Sequence, residues 1–146
     1  VEVLVSADMH YEEPWLFTSR YAEPAVAVFD GAKVRITVGH PRFRLGYTID
    51  ATIRELAPHG LVGKNVPTEW ELPYRARLDH LGVDHILGLL EAIRSLSPSR
   101  KAVLLCFERI GEPCHRRTLA AWLEEHAGLV VPELTPMQPS LTGRRP

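Results

Sequence analysis

The chain has 146 residues, 45% hydrophobic and 24% charged, the balance of one globular domain rather than a disordered tail, a collagen or a bare coiled coil. A chain of this length buries about 68–70% of its unfolded surface, so folding alone requires neither a metal nor a disulfide. Seventeen basic against eighteen acidic residues leave a formal charge of -1, which excludes a whole-molecule basic surface of the kind that coats nucleic acid.

No apolar run approaches the roughly 18–20 residues of a membrane helix, so no membrane partner is expected. Residues 1–6 lack the basic and apolar regions of a secretory signal and read as a buried strand. Residues 8–24, aromatic and acidic, suggest a short helix over a sheet edge. Residues 25–29, 34–38 and 102–107 are short, apolar and β-branched in part, which predicts strands. Asp50, Ile53 and Leu56 suggest a short capped helix ending before Pro58, and the Gly, Pro and Asn content of residues 58–73 then predicts a long loop.

Ile86, Leu89, Leu90, Ile93 and Leu96 recur at helical spacing, which predicts a helix over 84–96 capped by Asp84 and stopped by Pro98. Leu119, Trp122 and Leu123 predict a second over 115–127, with Gly128 as its terminator. Val130 and Val131 offer one more short strand. The alternation predicts an α/β fold, a single domain over 1–134 with three layers, a largely parallel sheet flanked by helices. Residues 135–146 read as a disordered tail. Two cysteines are too few for a secreted disulfide framework, so the expected compartment is the cytoplasm. Oligomeric state is left open.

Chemistry concentrates where the strand over 102–107 passes through a Gly-Pro turn into the helix over 115–127, the carboxyl end of a strand, where open α/β sheets bind ligands. Period two places Cys106 and Glu108 on one side and Phe107 on the other. Helical spacing aims Arg116 inward with Leu119 and Leu123, and Arg117 toward water. Cys114 falls at the first helical turn, where unpaired N–H groups and the macrodipole favour a thiolate or a bound anion. The candidate catalytic residues are therefore Cys114 as thiolate, His115 as proton donor or acceptor, and Glu108 as acid/base or orienter of Arg116. Each has a plainer alternative. Cys106 suits a small core residue, Glu108 and Arg116 suit an internal ion pair, and Cys114 suits a structural cap. A zinc site from Cys106, Cys114 and His115 lacks close cysteine spacing and an evident fourth ligand, so no metal is expected, and no cofactor follows from the residues.

Residues 33–47 carry Lys33, Arg35, Arg42 and Arg44 among His40, Phe43 and Tyr47 with no acidic residue. Arg116, Arg42 and Arg44 are the candidate anion-binding residues. The expected ligand is a phosphate-bearing small molecule or nucleotide handled by an enzyme. The alternative is a noncatalytic nucleic-acid-binding module, with phosphates on the arginines and bases stacked on Phe43 or Tyr47. A third option is redox pairing of Cys106 with Cys114.

Leu104-Leu105-Cys106-Phe107-Glu108, followed after a short turn by Cys114-His115-Arg116 and a helix carrying Trp122-Leu123, resembles the family called domain of unknown function 488. The likeness extends to residues 36–41, 45–47, 55–58, 74–90 and 131–134, most of the chain after about Lys33. It implies a compact α/β domain and names no reaction.

Overall fold

Ala102–Cys106 is a run of five buried residues, and in the computed structural model it is an interior strand hydrogen-bonded on both sides. The structure describes residues 13–61, 64, 66–107 and 114–135. Strands β1 (Leu16–Arg20), β2 (Ala32–Arg35), β3 (Ala51–Thr52) and β4 (Ala102–Cys106) form one parallel sheet in the order β1-β4-β2-β3. All four carboxyl ends therefore lie along the same edge. Arg20 pairs with Cys106, and Arg35 with both Leu105 and Thr52, so these residues stand in a row across that edge.

Alternation along β4 divides the core. Ala102 and Leu104 face Leu16, Val34, Leu119 and Trp122, together with apolar residues of three helices: α2 (Pro67–Leu81), α3 (Val83–Arg94) and α4 (His115–Ala127). Val103 and Leu105 face the opposite side, where Tyr21, Val26, Phe17, Phe29, Leu45 and Tyr47 cover the sheet. The third layer is thin: a four-residue helix, α1 (Pro24–Ala27), and the 39–50 segment. No described helix is long and apolar enough to cross a membrane.

Several expectations need correction. Residues 25–29 are not a strand, because the Glu23 carboxylate accepts from the Ala25 N–H and Pro24 starts a helical turn. The strand lies upstream, over Leu16–Arg20, within the segment expected to be helical. Its polar centre masks it: Thr18 and Ser19 are buried because their hydroxyls donate to Glu133 and to the Leu134 carbonyl.

The loop expected through residue 73 gives way to α2 from Pro67 onward. Pro73 stands inside that helix at a cost of about 3 kcal/mol. Burial of Trp70, Tyr74 and Leu78, one residue per turn, outweighs it. Asp84 is not the cap of α3. Gly82, at φ 88°, takes that place and leaves Asp84 in the first turn, where a carboxylate suits the dipole. The short helix near residue 53 is a 3-10 turn, Arg54–Leu56, after β3. The final strand is reduced to a parallel bridge between Glu133 and Thr18. Helix α4 and its left-handed Gly128 terminator fall where the spacing places them. The expected strand over 1–6 and the tail beyond Thr135 lie outside the described residues.

Candidate functional site

Cys106 ends the central strand and Cys114 opens α4, so chain connectivity alone brings both to the carboxyl edge of the sheet. Their Sγ atoms are 2.9 Å apart. Cys106 is 0%, Cys114 7%, His115 5% and Arg116 1% exposed, and the two cysteines are not joined in a disulfide. Cys114 occupies the N-cap position with an extended backbone and makes no side-chain cap bond, which sets aside its reading as a structural cap.

Arg116 points inward, as the helical spacing requires. Its Nη1 donates to Cys106 Sγ and to Cys114 Sγ, both at 2.9 Å. The opposite side of the guanidinium donates to Glu133, from Nε at 3.1 Å to both carboxylate oxygens and from Nη2 at 2.8 Å to Oε2. Burial by itself would lower the arginine's pKa, but Glu133 and the two sulfurs outweigh it and push the group further above its ordinary range. The site therefore holds a permanent cation against the sulfur pair. Thr18 also donates to Glu133 Oε1, at 2.7 Å, and accepts from Arg117 Nη1 at 2.7 Å. Arg117 is half exposed, as expected, yet its Nη1 also donates to the Val131 carbonyl at 2.9 Å.

His115 Nε2 lies 2.7 Å from the Ile36 carbonyl, which only accepts, so this nitrogen carries the proton and a neutral ring keeps Nδ1 as its acceptor. The Tyr74 ring meets the imidazole edge-on at 5.5 Å while its hydroxyl donates to Leu56 O at 2.6 Å. Burial holds the Tyr74 hydroxyl far above the usual phenol range, and negative charge on Cys106 and Cys114 adds to this. Tyr74 is thus a neutral wall of the site. Cys106, Cys114 and His115 each present a ligand-type atom, all within 4.8 Å of one another.

The structure unites Cys106, Cys114, His115 and Arg116. Glu108 lies outside the described residues, and the carboxylate seen on Arg116 is Glu133, to which no role follows from the sequence pattern. The hints are its position in the short segment after α4 that returns to the sheet and the likeness noted over residues 131–134.

The basic stretch separates into parts. Lys33 Nζ donates to Phe29 O, and Tyr47 donates to Tyr21 O while its ring packs on the second core. Arg42, Phe43 and Arg44 are exposed, the last two on a hollow of about 320 Å³ shared with Tyr21, Pro24 and Leu45. Arg42 and Arg44 are thus solvent-facing loop residues, whereas Arg116 lies in the interior.

Fold and site together define a parallel α/β domain with a buried cysteine, histidine and arginine cluster at the carboxyl end of its central strand. The chain matches no protein-family model, no curated protein and no solved structure.

Proposed function

We propose that Cys106 and Cys114 are the reacting pair of a thiol-disulfide enzyme, with Arg116 as the fixed charge that compensates negative sulfur. The observation that carries this reading is the 2.9 Å approach of the two sulfurs around one shared guanidinium nitrogen. A charge-assisted N–H donor stabilises a thiolate without removing the lone pairs it attacks with. Cys114, the less deeply buried residue of the two, attacks an external disulfide. A Cys114–substrate S–S bond forms, the substrate S–S bond breaks, and the departing sulfur takes a proton. Cys106 then attacks Cys114 Sγ, and the second half of the substrate leaves as a thiol. The protein dithiol is oxidised to a disulfide by two electrons and the substrate disulfide is reduced to two thiols. His115 beside the pair supplies a proton-exchanging group.

In this reading Arg116 works inside the site, because its donors go to Glu133 and the sulfurs rather than to an external phosphate. The likeness to domain of unknown function 488 supports the same centre, since Cys106 and the Cys114-His115-Arg116 run carry it.

A second reading is a transition-metal site on Cys106, Cys114 and His115, favoured by their mutual distances and by the Nε2 tether to Ile36, a common way of orienting a ligand imidazole. Against it stands the sulfur separation, well inside the roughly 3.8 Å that two thiolates on a tetrahedral zinc with Zn–S near 2.3 Å would keep.

Native protein treated with oxidised glutathione and read by intact mass separates these readings. Expected are loss of two hydrogens in the parent, a stable glutathione adduct in Cys106→Ser, and no adduct in Cys114→Ser. Two free thiols surviving in the parent, or stoichiometric zinc that shields both thiols until a chelator is added, would overturn the redox reading.

A further inference from the structure

We propose that a second hollow on the same edge of the sheet, distinct from the cysteine cluster, binds a tetrahedral oxyanion of the phosphate type. Its volume is about 290 Å³, and Arg35, Thr37, Thr52, Arg54 and His59 line it with no carboxylate among them. Arg35 is the last residue of β2 and Thr52 the last of β3, so the hollow opens at the carboxyl ends of two adjacent parallel strands.

The observation that points to a ligand is the Arg35 Nε atom. It is buried and has no hydrogen-bond partner among the described residues. A buried donor on a charged group is costly to leave unsatisfied, and the guanidinium to which this Nε belongs lines the hollow. No ion pair within 4.0 Å joins Arg35 or Arg54 to a described carboxylate, although acidic residues are close in sequence. Asp50 instead accepts from the Lys33 backbone N–H at 2.8 Å, and Glu55 turns to His85 at 3.6 Å. Both guanidiniums keep their charge available to the hollow, where two planar forks match the geometry of phosphate oxygens.

The exposed Thr52 hydroxyl adds a donor. Thr37 is committed, donating to Gly39 O at 2.7 Å, and so shapes the wall rather than binding. Main-chain hydrogen bonds fix the rim: Ile53 N–H donates to Arg35 O at 3.0 Å, which ties the Arg54 turn to β2. His59 Nε2 donates to the Arg54 carbonyl at 3.2 Å, which closes the far side. Ile36, whose carbonyl holds His115, stands between Arg35 and Thr37, so one strand end serves both sites.

Free phosphate and a phosphomonoester share this chemistry, and NMR titration distinguishes them. The full chain, labelled with nitrogen-15, is titrated with inorganic phosphate, adenosine 5′-monophosphate and adenosine, following the Arg35 Nε–H signal and the amides of residues 35–37 and 52–59. Saturable shifts with phosphate and the monophosphate alike support a free oxyanion site. Shifts with the monophosphate alone support a phosphomonoester site. In either case Arg54→Gln, on the exposed rim, weakens binding by about tenfold, and Arg35→Lys, which keeps charge but loses Nε, does so to a similar extent. The proposal is overturned if neither phosphate compound shifts these signals, if adenosine shifts them equally, or if Arg54→Gln binds like the parent. Thiol reactivity of Arg54→Gln is expected to equal the parent's, which keeps this result independent of the cysteine pair.

Discussion

Replacing Glu133 with glutamine keeps the shape of the side chain and removes the carboxylate that grips Arg116. Arg116 is 1% exposed and Glu133 16%, so the pair is shielded from water. Removing one partner of a buried ion pair costs about 3–5 kcal/mol, mostly because the remaining charge stays desolvated. Glutamine with its carbonyl oxygen at the Oε2 position still accepts from Arg116 Nη2 and Nε, but its amide nitrogen cannot accept the second Nε bond or the Thr18 bond. That places the loss near the lower limit, about 3 kcal/mol. At about 2–4 °C per kcal/mol for a chain near this length, Tm falls by about 6–12 °C.

Urea unfolding at pH 7 measures this as a fall in the midpoint at constant slope. The difference from the parent persists in 1 M salt, since screening acts on exposed charges far more than on buried ones. A cycle of Arg116→Met, Glu133→Leu and the double variant Arg116→Met/Glu133→Leu isolates the pair, and the double variant is expected to be more stable than either single one. A loss below about 1 kcal/mol in Glu133→Gln, or a coupling below about 0.5 kcal/mol, would refute the claim that this pair supports the site.

Burial pushes the Tyr21 and Tyr47 hydroxyls up to about 12 from the usual phenol value near 10.0, and Tyr74 is raised further by the same cause. The unfolded chain then releases protons above pH 10 that the folded chain keeps. The stability that Tyr21 and Tyr47 add is full below pH 10 and is lost as pH rises from 10 through 12, while the Tyr74 share continues to fall above that, which Tm against pH and tyrosinate absorbance both follow. Pro73→Ala restores an N–H inside α2 and is expected to raise stability by about 1–3 kcal/mol in the same urea assay. Gly31→Ala is expected to lower it by about 1–3 kcal/mol. A Cβ there would stand 2.7 Å from the Lys101 carbonyl oxygen, and that backbone is held where Ala32 N–H donates to it.

Local pattern was enough for β4, α4 with its Gly128 terminator, and most of α3, because each presents a long apolar period to the core. The same periodicity located Cys106, Cys114, His115 and the inward direction of Arg116, since all four lie on or beside one strand and one helix. Chain-local pattern failed where a tertiary partner changed the preference of a segment. Leu16–Arg20 is a strand because Glu133 and Leu134 satisfy its hydroxyls, and Pro67–Leu81 is a helix because Trp70, Tyr74 and Leu78 find a core to enter.

What the amino-acid order determined by itself is the class of domain and the place where its chemistry gathers. The folded arrangement alone decided that Arg116 meets Glu133 and both sulfurs, that His115 is tethered to Ile36, and that Arg35 and Arg54 converge on one hollow. The reason is one of range. Helical and strand periods record which way a side chain faces along a few turns of chain, whereas compensation of a buried charge depends on groups that only the assembled sheet brings within a hydrogen bond of one another.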